Sequence, residues 1–356
     1  MSVMPDPSES ALTPNWHVRA YRSGDEQQLS TLFGRVFGRP ISAEHWRWKL
    51  KGQNSPIENV YLAEHGGRAI FQYAGIGTRF WMEGRETTVM VSVDTMTAPE
   101  FRRQGLLSAV GAQSYAAWAA AGVPLVLGLP NEQWGSRTTA LGWQRLFALR
   151  WHSLSLRPER SLARRLGLPM LNHVPLGALR SATWGQLGPR EANVHISEVT
   201  TAGPAFDQIW AAGRDSAAFS VVRDQAWVQW RYFDCPSRRY RLLLAERAGQ
   251  PVGYAAFTLV EQHALLAEIY APGQGPGCIA ELGRAAARAA YDAGASSIAS
   301  LAVPTSSLAA TLSAIGLRPR QGAFAVMIVP LAADLPLGSL ADPRNWSIAG
   351  ADFDVV

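Results

Sequence analysis

The sequence predicts a mixed α+β protein with two similar domains in tandem, each a central, mixed and mostly antiparallel sheet flanked by helices. Short β-prone runs alternate with helix-like segments along the chain. The same order of elements occurs twice. The length of 356 residues suits two domains of roughly 100–200 residues each. Apolar residues make up 47% of the chain, which is enough to bury a core of ordinary size.

The repeat is visible at a constant offset of 182 positions. Eight of the 38 positions from 37 to 74 carry the same residue in the second half of the chain. These pairs are Phe37/Phe219, Trp48/Trp230, Ser55/Ser237, Leu62/Leu244, Ala63/Ala245, Glu64/Glu246, Gly67/Gly249 and Ala74/Ala256. Self-similarity at a fixed spacing indicates a duplicated unit.

Each copy begins with a helical stretch that continues into a hairpin. In the first copy the helix ends at Trp48-Lys49, and the hairpin turns at Gly66-Gly67. A strand, a glycine loop and an alanine-rich helix follow, and Gly122 stops that helix. The apolar run from Val123 to Leu129 is typical of a strand covered on both faces.

These elements set the predicted domain boundaries. Residues 1–14 are expected to be a disordered lead, 15–157 the first domain and 195–330 the second, degenerate one. Residues 158–194 break the repeat with arginines followed by prolines and glycines, which predicts a short basic helix and a linker. Residues 331–356 are expected to form a tail.

Composition excludes several classes of function. Two cysteines, Cys235 and Cys278, are too few for a disulfide framework or a zinc cluster, and no spacing of His, Asp or Glu indicates a metal site. No apolar run reaches about 18 residues, so we expect no membrane span. The first residues lack a signal pattern, so we expect a cytoplasmic protein. The net charge of +5 comes without lysine-rich tails, since Lys49 and Lys51 are the only lysines, so no nucleic-acid partner is expected.

The stretch from 93 to 110, VDTMTAPEFRRQGLLSAV, carries the strongest functional signal. Backbone N–H groups at the start of a helix are unpaired and carry partial positive charge. Gly105 leaves the backbone there uncovered, and Arg102 and Arg103 add cationic donors. This arrangement suits a pyrophosphate. The spacing is neither that of a P-loop nor that of the three-glycine dinucleotide fingerprint.

The segment APEFRRQGLLSAV resembles the acetyl-CoA-binding motif of the GNAT N-acetyltransferase superfamily, Arg/Gln-x-x-Gly-x-Gly/Ala preceded by Pro and an aromatic residue. Pro99, Phe101, Arg102 and Gly105 match it, whereas Leu107 stands where the family has a small residue. Downstream, LVLGLPNEQ and TTALGW resemble the family's next strand, the Asn at its end and a Leu-Gly-aromatic ending. With WRWK upstream, the chain resembles a bacterial subgroup of tandem GNAT proteins linked to polysaccharide or cell-envelope synthesis.

The resemblance implies an N-acyltransferase that uses acetyl-CoA, without a metal, to acylate the amine of a small acceptor, with an amino sugar favoured. Residues 93–98 would hold the pantetheine arm as an added strand, and an N–H near Met96 or Thr97 would polarise the thioester carbonyl. The remaining implied cofactor contacts are Arg102, Arg103, Gln104, Gly105, Leu106, Leu107 and Asn131.

For catalysis, the resemblance implies a candidate base but no strong candidate for the acid. Asp94 is the nearest carboxylate on the strand and the candidate base for the acceptor amine, directly or through a water. Many family members protonate the departing thiolate with a Tyr four residues before the glycine that corresponds to Gly142. Thr138 occupies that place here, and Ser136 is no stronger an acid.

The second copy keeps the predicted order of elements but lacks most of the residues implied to bind the cofactor. Gln274-Gly275-Pro276-Gly277 replaces the arginine loop, and Pro276 removes one N–H donor. Glu268 aligns with Asp94. We therefore expect one cofactor site, in the first copy, while the second copy shapes the acceptor cleft or completes the fold.

Trp48 and Trp230 are candidates for stacking on a sugar or nucleotide, although helix-spaced tryptophans are also typical of a core. Two other functions stay open. One is a Fem-type aminoacyl transferase, which shares tandem GNAT-like domains but lacks a working acetyl-CoA loop. The other is a non-catalytic CoA-binding module. The sequence is compatible with a monomer or a homodimer.

Overall fold

Strands from both halves of the chain join in one continuous mixed sheet. The computed structural model describes residues 15–130, 141–174, 176 and 187–353. The strands in this part are β1 (His17–Ala20), β2 (Val60–His65), β3 (Arg68–Met82), β4 (Arg85–Thr97), β5 (Leu125–Gly128), β6 (Gln144–Ser155), β7 (Val194–Val199), β8 (Phe219–Val221), β9 (Tyr240–Arg247), β10 (Gln250–Val260), β11 (His263–Tyr270), β12 (Ser297–Ala302), β13 (Arg318–Pro319), β14 (Phe324–Pro330) and β15 (Trp346–Ser347).

Helices pack against this sheet. Those in the described part are α1 (Glu26–Phe37), α2 (Ala43–Lys51), α3 (Leu106–Ala120), α4 (Pro158–Leu166), α5 (Pro204–Gly213), α6 (Gln225–Val228), α7 (Pro276–Asp292), α8 (Ser307–Ala314) and α9 (Leu337–Ala341). A π-helical turn, Gln229–Phe233, continues α6, and 3₁₀ turns span Pro99–Phe101, Pro169–His173, Arg214–Ser216, Pro343–Asn345 and Gly350–Asp352. The predicted α+β class is confirmed, and α4 forms where a short basic helix was predicted. No helix in the described part is long and apolar enough to cross a bilayer.

The two halves exchange a strand at the centre of the sheet. The main order is β1-β2-β3-β4-β5-β14-β6-β12-β11-β10-β9-β7. β14, from the second half, pairs with β5 of the first half, and β6, from the first half, pairs with β12 of the second. β14 and β6 also pair with each other. Each half therefore completes its sheet with a strand of the other, and the boundaries predicted from the sequence do not divide the sheet.

The two hairpins have the same register, 182 positions apart. Val60 pairs with Ala74 between β2 and β3, and Leu242 pairs with Ala256 between β9 and β10. The helices before the hairpins also begin alike, since the side chain of an N-cap residue, Ser42 or Asp224, accepts a backbone N–H in each.

Residues 331–353 belong to the fold, unlike the tail expected from the sequence. β15 pairs in parallel with β8, which itself extends the sheet from β3. Asp352 is 8% exposed, and its carboxylate accepts two hydrogen bonds from Arg223, at 2.7 and 2.8 Å. No local pattern indicates that Asp352 pairs with Arg223, because the two residues are far apart along the chain. The expected disordered lead, 1–14, lies outside the described residues.

Candidate functional site

The predicted loop leads from β4 into α3 through one 3₁₀ turn and two left-handed residues. In this turn Phe101 packs against His65, with ring centroids 5.0 Å apart. Arg103 and Gly105 have φ angles of 66° and 77°, which turn the chain sharply into the helix. A Cβ placed on Gly105 meets no atom within 4 Å. The backbone at this turn therefore faces open space.

The first turn of α3 presents several unbonded amides. Within the described part of the chain, no oxygen accepts a hydrogen bond from the N–H groups of residues 104–108. The first helical bond runs from the N–H of Ala109 to the carbonyl of Gly105, at 3.0 Å. Leu106 is 2% exposed and Leu107 is half-buried against the core, so both hold the helix on the sheet. The free N–H groups are therefore fixed in place and carry partial positive charge.

Charge at the loop is also positive. Arg102, Arg103 and Gln104 are exposed. The carboxylate in the preceding turn, Glu100, is already paired with Arg35 at 2.9 Å and with Arg68 at 2.7 Å. Because Arg35 and Arg68 already neutralise Glu100, the charges of Arg102 and Arg103 stay available to a ligand. Free amides and cationic side chains together form an anion site.

Among the described residues, nothing pairs with the outer edge of β4 beyond Val91. The strand pairs with β3 along its length, but with β5 only at Met90 and Val91. The N–H of Ala98 donates to the carbonyl of Ile70 at 2.8 Å. Antiparallel pairing alternates, so the N–H and C=O of Thr97 point away from β3, while those of Met96 point toward it. Thr97 therefore offers its backbone groups to a ligand lying along this edge.

Asp94 lies in a β-bulge of that edge. The register between β3 and β4 shifts there, and Asp94 has a φ of 47°. Its carboxylate is 2.6 Å from Nζ of Lys49, and the two side chains are only 6% and 3% exposed. Gln72 donates to the Asp94 carbonyl at 3.0 Å and accepts from the Trp46 indole N–H at 3.0 Å. Strand β3 thus holds the backbone of the bulge through Gln72, and helix α2 holds the Asp94 side chain through Lys49.

Sequence reasoning missed Lys49 and Gln72 as parts of this site. Their contacts with Asp94 depend on how α2 docks on the sheet, which no local pattern encodes. The one available signal was compositional, because a chain that otherwise uses arginine has a lysine here.

Trp48 and Trp230 contact each other across the two halves. Each indole N–H donates to the other residue's carbonyl, at 2.8 and 3.0 Å, and the rings stack with centroids 5.3 Å apart. One face of each ring is therefore covered by its counterpart. Both line a small cleft of about 20 Å³, room for about one water molecule, whose wall also includes Lys49 and Phe353. Since Lys49 pairs with Asp94, one side chain links the cleft to the β4 bulge.

The corresponding groups of the second half are used for structure. The Glu268 carboxylate is fully buried beside Arg223 and accepts from the hydroxyls of Tyr232 and Tyr254, at 2.9 and 2.7 Å. A Cβ on Gly277, at the start of α7, would lie 2.9 Å from the Glu191 side chain. The start of that helix is therefore covered, whereas the start of α3 is open.

Three predicted residues, Asn131, Ser136 and Thr138, lie outside the described residues. In the described part, no group of three or more His, Cys, Asp and Glu side chains could hold a metal ion.

Residues 17–145 match the family model of the acetyltransferase (GNAT) domain. This segment contains the open loop, the β4 edge and the bulge. No curated protein matches the chain.

Solved structures share the fold at low sequence identity. A GCN5-related N-acetyltransferase from Anabaena variabilis is 12% identical with a TM-score of 0.64, over 89% of this chain and 73% of that one. A probable N-acyltransferase from Enterococcus faecalis is 14% identical with a TM-score of 0.63, over 89% and 73%. A GCN5-related N-acetyltransferase from Kribbella flavida is 13% identical with a TM-score of 0.59, over 88% and 70%. At these identities the likeness shows the fold alone.

Proposed function

We propose that this protein is an acetyl-CoA-dependent N-acyltransferase that acylates the amine of a small acceptor. The observation that carries this function is the open anion site at the start of α3, next to an unpaired strand edge and within a segment that matches the GNAT domain. A diphosphate linked to an extended pantetheine arm has matching chemistry, since it needs N–H donors, cations and a strand edge in that order.

The residues fit such a donor. The amides of Gln104 to Leu107, with Arg102 and Arg103, bind its diphosphate. The edge that ends at Thr97 binds the pantetheine arm, and the N–H of Thr97 is positioned to donate to the thioester carbonyl. Bound acetyl-CoA supplies an activated acyl group. Asn131 remains a further candidate contact.

The acceptor binds where the two halves meet, at Trp48 and Trp230, whose cleft has to widen to admit more than a water molecule. An amino sugar remains the favoured acceptor class because of the subgroup that the sequence resembles, and aromatic rings such as these half-buried indoles can stack on a sugar ring. Asp94 takes the proton of the amine, directly or through a water. Thr138 and Ser136 remain the candidates near the departing thiolate.

The test is a thiol-release assay with acetyl-CoA and a panel of primary amines that includes amino sugars. We expect release of CoA that requires an amine, together with an acetylated product in the mass spectrum. Binding of acetyl-CoA without release for any amine would favour the second candidate, a CoA-binding module without turnover. One observation favours that candidate, namely the pairing of Asp94 with Lys49. Failure to bind acetyl-CoA at all would contradict both.

A further inference from the structure

A cluster of exposed apolar side chains lies on α4 and the turn after it, in the segment between the two repeats. We call Leu162, Leu166, Leu168 and Met170 the α4 surface. Their exposed fractions are 41%, 58%, 44% and 71%. Leu162 and Leu166 are one helical turn apart and share a face. Large apolar side chains exposed this close together mark an interaction surface more often than chance exposure.

The helix is firmly attached, so the exposure is a property of the fold. Glu159 and Ala163 face the protein and are 5% and 4% exposed. Arg157, just before the helix, lies over the Tyr291 ring at 4.1 Å and donates to the Tyr291 carbonyl at 2.9 Å. Leu162 and Leu166 lie at the flank of this protein-facing side, since Leu162 is three residues from Glu159 and Leu166 is three from Ala163, and both side chains remain exposed.

The exposed charged side chains of α4 itself have one sign. Arg160, Arg164 and Arg165 are exposed, whereas Glu159, the carboxylate of this helix, is buried. Two copies of the chain meeting through this surface would bring like charges together. An anionic surface is the complementary partner.

We propose that the α4 surface binds an anionic membrane surface. The four apolar side chains enter the headgroup region, and Arg164 and Arg165 pair with lipid phosphates. A short amphipathic helix with cations beside protruding apolar residues is the arrangement that lies in the plane of such an interface. Lipid headgroups also accept protruding side chains without a matching groove, which an acidic protein would have to provide.

Vesicle co-sedimentation tests this binding. The full chain is mixed with vesicles of phosphatidylcholine, or of equal parts phosphatidylcholine and phosphatidylglycerol, at low and high salt. We expect binding to the anionic vesicles that weakens as salt screens the arginines. The variant Leu166→Glu/Met170→Glu and the variant Arg164→Glu/Arg165→Glu should each bind at least about tenfold more weakly.

The matched control is Arg239→Glu/Arg318→Glu, which changes the net charge equally at exposed positions elsewhere. It should bind the anionic vesicles to within about threefold of the wild-type chain. Acetyl-CoA affinity of all three variants should equal that of the wild type, since none touches the α3 loop. Equal binding to neutral vesicles, no binding to anionic ones, or equal losses in the control variant would overturn the assignment. So would a change of oligomeric state in the α4 variants without any effect on vesicles.

Discussion

At the scale of single residues, the pair of Lys49 and Asp94 places two buried charges beside the open edge of β4. Each charge compensates the other where water is scarce. Removing one partner therefore leaves the other charge without its ion-pair partner in the interior. Replacing Asp94 therefore changes two quantities, the unfolding free energy and the turnover, and the two have to be measured separately.

The change Asp94→Asn should lower turnover about a hundredfold or more, because an amide cannot accept the proton of the amine. Acetyl-CoA affinity should stay near that of the wild type, since the change removes no backbone donor of the loop or of the β4 edge. The same change should cost about 3–5 kcal/mol of unfolding free energy by isolating the lysine charge. Enzyme kinetics, calorimetry and denaturant unfolding measure the three quantities.

The double variant Lys49→Met/Asp94→Asn removes both charges and is the control. It should regain most of the lost stability and none of the turnover. Recovery of turnover in the double variant would show that Asp94 supports the fold and does not accept the proton.

A second residue-scale prediction concerns Asp352. Burial, together with Glu268 beside the same Arg223, raises the pKa of Asp352 from 3.8 to about 6, although Arg223 itself opposes the shift. A carboxyl group whose pKa is higher in the folded state stabilises the fold below its unfolded pKa, and this contribution is lost as the pH rises through about 6.

The unfolding free energy of the wild type relative to Asp352→Asn should therefore fall by about 2 kcal/mol between pH 4 and pH 7. Denaturant titrations of both proteins across this range measure the difference. A difference that does not change with pH would show that Asp352 titrates as an ordinary carboxyl group.

At the scale of secondary-structure elements, the end of β5 requires a residue without a side chain. Gly128 is its last residue, and a Cβ there would lie 2.7 Å from the Trp143 ring. Because Gly128 has no side chain, the Trp143 indole can pack directly against the end of β5.

The change Gly128→Ala should therefore destabilise the protein by about 1–3 kcal/mol through overpacking. Gly338→Ala on α9 is the matched control, because a Cβ there meets no atom within 4 Å. It should leave stability unchanged or raise it by about 0.4–1 kcal/mol. Equal effects of the two changes in thermal unfolding would contradict the close packing of Trp143.

Local patterns predicted the elements around the site well. The turn at Gly105, the start of α3 and the hairpin at Gly66-Gly67 each depend on a few consecutive residues, so the sequence displays them directly. Asp94 was named as a candidate base for the same reason, since it follows a β-prone run. Its ion-pair partner Lys49 and the bulge that holds it were missed, because both arise from packing between distant segments.

At the scale of the whole molecule, the exchange of β6 and β14 makes the two halves interdependent. The sequence alone placed these strands in separate domains, because a repeat shows which elements recur and not which copy each strand joins. β14 pairs with β5, and β6 pairs with β12, although the two strands of each pair are far apart along the chain. Because of this exchange, we expect that neither half of the proposed duplication can fold without the other.

A fragment of residues 15–157 should consequently fail to fold as a soluble monomer. Without β14, the edge of β5 is unpaired, and β6 has lost the strands that flank it. Size-exclusion chromatography and thermal unfolding of the fragment measure this, with the full chain as control. A monomeric fragment that unfolds cooperatively would contradict the exchange.

The most direct test of the account is calorimetric titration of acetyl-CoA into the wild type, Gly105→Glu and Gly122→Glu. Both glycines have positive φ and open space around them, at opposite ends of α3, so the two changes carry similar strain. We predict binding by the wild type and by Gly122→Glu, and a loss of at least about tenfold in Gly105→Glu, because a carboxylate would then repel the diphosphate from the free amides. Undiminished binding by Gly105→Glu would contradict the assignment of the α3 N-terminus as the donor site.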